Sequence, residues 1–240
     1  ELIRLKVDVL VVAASNEARV ARNATKTIPI VGANLGDPVA SGLVESFARA
    51  GGNITGFASI TTLPGKRLEI LKDTIPNLAR VAVLWQRQPT GTAWKEHEIP
   101  ASGLALQLYS MEVNSKDKFA GAFKDAIKAR SSAVAVSLSP LINSNQQQIA
   151  ELAAKYRLPA IYPRREFVDS GGLMSYGADR EEPFKRIAVM VDKILKGAKP
   201  ADIPVEQPMR FEFIVNLNAA KQIGLTIPPN VLVRVQKVIR

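Results

Sequence analysis

Cysteine is absent from this 240-residue sequence, which excludes disulfide bonds, thiol nucleophiles and metal sites built on thiolates. Histidine occurs once, so a histidine-rich zinc site or a Ser-His-Asp triad lacks parts unless that residue serves. No apolar run approaches the ~18 residues that a membrane-spanning helix needs. Aromatic residues make up only 6% of the chain and are not interleaved with basic clusters, so the sequence carries no recognisable motif for nucleic-acid binding.

The formal net charge is +10, but no block of five or six like charges is present. Lysine and arginine are scattered, often beside acidic residues, which is typical of solvated helix faces and not of a nucleic-acid or headgroup-binding tract. Hydrophobic residues account for 47% of the chain, as in ordinary globular proteins. The length is sufficient for one or two domains, each with its own core.

Short apolar runs alternate with amphipathic stretches along most of the chain. The runs show little polar alternation, which is typical of strands covered on both faces. Strands followed by helices throughout predict an α/β fold with parallel sheets. The predicted strands are 7–14, 28–33, 54–59, 80–85, 107–113, 133–137, 160–162, 173–176 and 211–215.

Breaks in the pattern predict two lobes with the chain crossing between them more than once. They lie at 75–78, at 177–179 and in the proline-rich segment 199–208. We expect a first lobe of residues 1–79 with 178–208, and a second lobe of residues 80–177 with 209–240. Residues 1–6 read like the last turns of a helix followed at once by a strand, so we expect further sequence to precede them.

In the first lobe, the sequence GANLGDPVASG follows the second predicted strand and leads into a predicted helix. It matches neither the phosphate-binding loop nor the dinucleotide fingerprint. Gly36 allows close approach of a ligand, Asp37 can cap the helix or contact a solute, and Pro38 suits the first helical position. Ser15, a predicted N-cap, and Asn16 follow the preceding strand, so both junctions should meet at the carboxyl edge of the sheet, where such folds bind ligands. Whether Asp37 is a solute contact or only a cap stays open.

Polar and aromatic residues also follow the strands of the second lobe. Trp85, Ser139, Tyr162 and Tyr176 lie at or just after four strand ends, where an aromatic ring can form the wall of a small-molecule site. Packing in the core or at its rim is the alternative for each. The single histidine, His97, lies in the run WKEHE, which predicts an exposed polar helical face and no catalytic role.

Several longer motifs resemble one family. They are YPRREFVDSGGLMSYG at 162–177, VDKILKGAKPADIPVEQP at 191–208, NLNAAKQIGLTIPP at 216–229, GDPVASGLV at 36–44 and GGNITG at 51–56. Together they resemble the ABC-transporter substrate-binding proteins, in the group that includes tryptophan- and tyrosine-binding members. The resemblance extends over residues 1–240. The segment QRQPTG at 86–91 departs from the Asn-Pro turn that related sequences tend to show, so we expect a change in solute specificity.

The resemblance implies a periplasmic-binding-protein fold of the three-crossover type. Two Rossmann-like lobes with parallel sheets would be joined by a three-strand hinge and close on a small solute, and the first lobe of this chain would lack its N-terminal β-α-β unit. By analogy, the expected ligand contacts are Ser15, Asn16, Gly36 and Asp37 from the first lobe, with Trp85, Ser139, Tyr162 and Tyr176 from the second lobe and hinge.

The expected function is that of an extracytoplasmic receptor of an ABC importer, periplasmic or anchored to the outside of the membrane. Its solute would be an aromatic or other apolar amino acid, and its protein partner a membrane permease. We expect a monomer without cofactor, metal, nucleic-acid partner or enzymatic activity. Two alternatives stay open: the ligand-sensing core of a transcriptional regulator with this fold, and an enzyme on a Rossmann-like scaffold that uses Glu166 or Asp37.

Overall fold

The structure is a computed structural model that describes residues 2–58, 63–87, 92–179 and 181–240. The strands are β1 Leu10–Val12, β2 Ile30–Gly32, β3 Ile54–Gly56, β4 Arg80–Trp85, β5 Gln107–Glu112, β6 Ala133–Val136, β7 Ala160–Tyr162, β8 Met174–Ala178, β9 Phe211–Asn216 and β10 Lys237–Ile239. The helices are α1 Ser15–Ala24, α2 Leu63–Thr74, α3 Thr92–Gly103, α4 Phe119–Lys128, α5 Pro140–Asn143, α6 Gln146–Lys155, α7 Arg165–Asp169, α8 Glu181–Leu195, α9 Leu217–Ile223 and α10 Pro229–Leu232. Short 3-10 turns span Leu2–Leu5, Lys116–Lys118 and Pro200–Asp202.

The chain forms two compact units. Unit 1 comprises Glu1–Thr61 with Ala178–Phe211, and unit 2 comprises Thr62–Gly177 with Glu212–Arg240. The chain therefore passes three times from one unit to the other. The sequence places residues 62–79 in the first lobe, whereas the structure places them in unit 2, because α2 packs against α3 and contributes Leu68 and Leu71 to the core of that unit.

Unit 2 is built on a seven-stranded sheet in the order β10-β9-β8-β7-β6-β4-β5. Five neighbouring pairs are parallel: β5 with β4, β4 with β6, β6 with β7, β7 with β8, and β9 with β10. Between β8 and β9 the hydrogen bonds run from Asn216 N to Leu173 O and from Asp179 N to Arg210 O, which makes this pair antiparallel. β9 is thus an exception to the predicted parallel order. The chain leaves unit 2 at the end of β8 and returns at the start of β9 on the same edge of the sheet, since Asp179 N donates to Arg210 O there.

Both faces of the unit 2 sheet are buried, as the apolar strands predict. Val81, Val83 and Trp85 of β4 face one core, which α2, α3, α9 and α10 cover. Ala82 and Leu84 face the other core, which α4, α6 and α7 cover. Successive side chains of a strand point to opposite faces, so β4, β6 and β7 contribute to both cores.

Unit 1 contains a parallel three-stranded sheet in the order β1-β2-β3. One face packs with α1 through Ala18, and the other packs with α8 through Ile187, Met190 and Ile194. A single bridge between Phe57 and Glu206 extends the sheet beyond β3. All nine predicted strands occur, most of them shorter than predicted, although the end of the third predicted strand lies outside the described residues; β10 is additional.

Three predicted local structures are wrong. α1 begins at Ser15 itself, with Ala14 in the N-cap position and no side-chain cap. The segment after Gly36 forms one turn and no helix: the turn begins at Asp37 and ends at Gly42, whose φ is +65°. His97 is almost completely buried, not exposed, because its side of α3 faces α2.

Candidate functional site

The two loops at the carboxyl edge of the unit 1 sheet come together as predicted. β1 and β2 are parallel neighbours, and Ala33 N after β2 donates to Val12 O at the end of β1 with a distance of 2.8 Å. Gly36 has a φ of +56°, and a Cβ atom built there would lie 3.4 Å from Ser15 Oγ. The Ser15 hydroxyl therefore faces the glycine-rich loop, and Asn16 beside it is exposed.

Asp37 is an exposed carboxylate that already caps a turn. Its Oδ1 accepts hydrogen bonds from Val39 N at 3.1 Å and from Ala40 N at 2.9 Å. This is the N-cap geometry that satisfies free backbone donors, although the turn it opens does not grow into a helix. The structure thus supports the capping role of Asp37, and a contact with solute remains a proposal.

In unit 2, the predicted residues lie at or just after the ends of β4, β6 and β7 and within β8, and these four strands are consecutive neighbours in the sheet. Parallel strands end at the same side of the sheet, so Trp85, Ser139 and Tyr176 lie along one carboxyl edge. We call this side the unit 2 edge. Its side chains differ strongly in how accessible they are.

Trp85 is held in place on several sides. Its side chain is 7% exposed, and its indole Nε1 donates to Ser110 Oγ at 2.8 Å. The ring of Trp94 lies 6.0 Å away at a tilt of 36°, and the guanidinium of Arg87 lies 5.8 Å from the Trp85 ring centre. Trp85 and Trp94 together form an aromatic wall whose accessible part is the half-buried Trp94. The departure at 86–91 falls largely outside the described residues.

Ser139 acts as the N-cap of α5. Its Oγ accepts from Ile142 N at 3.2 Å, and the residue is buried. Ser137, two residues earlier, is also buried, and its Oγ has no hydrogen-bond partner among the residues that the structure describes. Sequence reasoning missed Ser137, although its place directly after β6 was a usable signal.

Tyr162 does not lie at the accessible edge. It is fully buried in the core under α6 and α7, and its ring stacks on Phe167 with centres 4.8 Å apart. Within the described part of the chain its hydroxyl has no hydrogen-bond partner, and burial raises the pKa of Tyr162 far above its usual value. The alternative of core packing holds for this residue, because the last position of β7 faces the core and not the solvent.

Tyr176 is half-buried in β8, one residue beyond the position that pairs with the last residue of β7. Its ring meets Phe213 of β9 edge-on, with centres 6.4 Å apart. The backbone carbonyl of Tyr176 accepts a long hydrogen bond of 3.5 Å from Nη1 of Arg67 on α2. Tyr176 is therefore the predicted aromatic residue best placed to offer a ring at the unit 2 edge.

Behind this edge lies a buried polar pair that the sequence did not reveal. Arg67 and His97 are 6% and 1% exposed, on α2 and α3 respectively. Burial lowers the pKa of Arg67 to about 10, while the nearby Glu96 opposes that shift; burial also lowers the pKa of His97 to about 4. Arg67 therefore stays charged near neutral pH, while His97 is neutral.

A surface cavity of about 600 Å³ lies in unit 1 where α8 begins. Its charged side chains largely satisfy one another. Arg186 donates from two nitrogens to both carboxylate oxygens of Glu206, and Glu182 accepts from the backbone N–H groups of Met209 and Arg210. In the described ranges no group of three or more metal-ligating side chains occurs, and no helix is both long and apolar enough to cross a membrane.

The family model for the ABC transporter substrate binding protein matches residues 1–239. The chain is 26% identical over 231 residues to the tyrosine-binding protein of Clostridioides difficile strain R20291. That alignment takes in 92% of this chain and 64% of the relative, so the chain spans less than two thirds of the relative's length.

Two solved structures show the same fold. One is the ABC domain from Streptococcus pneumonia in complex with L-Trp, with a TM-score of 0.80 and 26% identity, covering 97% of this chain and 81% of that chain. The other is a conserved domain protein from Vibrio cholerae O1 biovar El Tor, with a TM-score of 0.84 and 24% identity, covering 99% of this chain and 80% of that chain. The second likeness concerns the fold alone.

Proposed function

The chain belongs to the family of ABC transporter substrate-binding proteins, and on this premise we propose that it is the extracytoplasmic receptor of an importer for an aromatic amino acid. The observation that supports this choice of solute is the aromatic lining of the unit 2 edge. Trp94, backed by Trp85, and Tyr176 offer ring faces or edges beside polar loops. The tyrosine-binding relative and the L-Trp complex agree with it.

The polar loops of unit 1 complement the aromatic rings. The Ser15 hydroxyl, the amide oxygen of Asn16 and the backbone carbonyls around Gly36 offer acceptors for the ammonium group of an amino acid. Asp37 would add a negative charge for the ammonium group. Its carboxylate is held in position because Oδ1 caps the turn. In the proposal, these loops hydrogen-bond the ammonium group of the solute.

The proposal requires binding without chemistry, a permease as partner and a location outside the cytoplasm, in the periplasm or on the outer face of the membrane. Family membership supports these points and does not favour the regulator alternative. The enzyme alternative makes a separate prediction, which is that a bound compound is altered.

The first experiment is a calorimetric titration of the chain with L-tryptophan, L-tyrosine, L-phenylalanine and L-leucine. An aromatic amino acid should bind with a 1:1 stoichiometry and be recovered unchanged by chromatography. At 100 times its dissociation constant it should add about 2.7 kcal/mol to the free energy of unfolding, which raises the melting temperature by a few degrees. Conversion of the compound, or binding of leucine alone, would contradict the proposal.

A matched pair of variants tests the contribution of the unit 2 edge. Tyr176→Leu should weaken aromatic amino-acid binding by about tenfold, because the ring contact is lost. The control is Tyr156→Leu. Tyr156 is also half-buried, but it lies away from the unit 2 edge as the C-cap of α6, and its ring stacks on that of Phe123 with centres 6.4 Å apart. Equal losses in the two variants would mean that Tyr176 affects the fold and not the solute.

A further inference from the structure

Arg67 is a buried cation that forms no ion pair with any residue that the structure describes. The residue is 6% exposed, and among the described residues no carboxylate oxygen lies within 4.0 Å of its guanidinium. Its hydrogen bond to the Tyr176 carbonyl is long, at 3.5 Å, and its Nε has no partner in that part of the chain. A charge removed from water in this way is costly unless another group compensates it.

The arrangement is unlike that of other arginines in the chain. Arg234 pairs with Asp73, which lies on α2 as Arg67 does. Arg87 pairs with Glu112 through two nitrogens. Arg186 pairs with Glu206 in the same forked way. Carboxylates therefore pair with arginines nearer the surface, while the buried Arg67 has none at contact distance within the described ranges.

The neighbours of Arg67 leave most of its charge in place. His97 donates from Nδ1 to Ala93 O at 2.9 Å, which leaves Nε2 without a proton, and the ring is neutral near pH 7. The half-buried Glu96 opposes the lowering of the Arg67 pKa from beyond ion-pair distance. The result is a net positive field in a medium of low dielectric constant, where charges act over longer distances than in water.

That field is centred directly behind the unit 2 edge. Arg67 bonds to the backbone of Tyr176, the half-buried aromatic residue of β8 at this edge. We infer that Arg67 makes this edge selective for solutes with a carboxylate, so that it favours an amino acid over the corresponding amine. The inference rests on the proposed function and adds the residue that sets the preference for an anionic group. Arg67 acts through its field, as a specificity-determining residue that need not contact the solute.

The test compares each amino acid with its decarboxylated analogue. Calorimetry is carried out with L-tryptophan and tryptamine, and with L-tyrosine and tyramine. For each pair it gives the dissociation constant of the amine divided by that of the amino acid, and a larger ratio means a stronger preference for the carboxylate. Arg67→Gln should reduce the preference for the carboxylate about tenfold, as expected for a unit charge at a distance of roughly 10 Å and an effective dielectric constant of about 20. Arg87→Gln is the matched control, because its guanidinium lies beside Trp85 but is paired with Glu112; its ratio should stay unchanged.

Two further variants keep the inference testable if Arg67→Gln does not fold, as judged by circular dichroism. Arg67→Lys retains the charge and should retain the preference. Glu96→Gln removes the opposing charge at a half-buried position and should strengthen the preference for the carboxylate.

The outcomes separate the two proposals. Binding of L-tryptophan or L-tyrosine with an unchanged ratio in Arg67→Gln, or a ratio in Glu96→Gln that does not rise, would overturn the role of Arg67 and leave the proposed function intact. If none of the four compounds binds the unsubstituted chain, the proposed function fails and this inference fails with it.

Discussion

At the scale of single residues, burial decides the chemistry of the polar side chains. His97 occurs in a run of polar residues, yet α2 covers it, and it is neutral at pH 7. Tyr162 ends a strand next to residues of the candidate site, yet its ring lies wholly in a core. In both cases the neighbours that cover the side chain come from another element, so the local sequence does not reveal the burial.

The first prediction concerns the pH dependence of stability. Burial lowers the pKa of His97 to about 4, from an ordinary value near 6.5. The unfolded chain therefore binds one more proton between these values, and stability falls as the pH falls through this window. From pH 7 to pH 5 the contribution of His97 to the free energy of unfolding should decrease by about 2 kcal/mol.

Urea unfolding of the chain at pH 7, 6 and 5 measures this loss. Because His97 is the only histidine in the sequence, His97→Gln should remove most of the pH dependence between pH 7 and pH 5. If the free energy of unfolding falls from pH 7 to pH 5 by the same amount in His97→Gln as in the unsubstituted chain, groups other than His97 are responsible for the pH dependence.

At the scale of elements, close backbone contacts set the geometry of the candidate site. β2 and β3 pair with Gly32 opposite Gly56, next to the loop that carries Gly36. Gly56 has a φ of +149°, and a Cβ atom there would lie 2.2 Å from the carbonyl oxygen of Gly32. A glycine is therefore required at this point of the sheet by both conformation and space.

The second prediction follows from this contact. Gly56→Ala should lower the free energy of unfolding by more than about 3 kcal/mol, since strain and overlap add. Gly52→Ala is the matched control in the same glycine-rich approach to β3, where a Cβ atom would meet no other atom within 4 Å. Denaturant unfolding at pH 7 measures both variants, and similar small losses would contradict the described β2–β3 pairing.

At the scale of the whole molecule, the chain forms two units, and α2 belongs to unit 2. Its residues Leu68 and Leu71 are buried in the core beside β4, and Arg234 near the C-terminus pairs with Asp73 of the same helix. The first stretch of unit 1 therefore ends well before residue 79. This assignment matters for function, because α2 carries Arg67 to the unit 2 edge.

The third prediction tests this assignment by hydrogen exchange with mass spectrometry. As denaturant is added, the amides of α2 should lose protection from exchange at the same concentrations as those of β4 and β6. The reason is that the residues of one cooperative unit open together. Co-exchange of α2 with β1 and β2 instead would place the helix in unit 1.

The sequence by itself determined the alternation of strands and helices, the two-lobed α/β fold and the family. Apolar runs bounded by amphipathic stretches predict buried strands, and polar residues directly after them mark the carboxyl edge. On this basis Ser15 and Gly36 were predicted to meet, and the structure brings them together.

Only the tertiary structure decided which side chains are accessible at that edge and which charges lack partners. Trp85 and Tyr162 both end apolar strands, but they face opposite sides of one sheet, and a strand covered on both faces gives no sequence signal for the difference. Arg67 looks like any other arginine on an amphipathic helix until α3 covers it. Burial arises from contacts between residues far apart in the chain, so the sequence pattern of one element does not specify it.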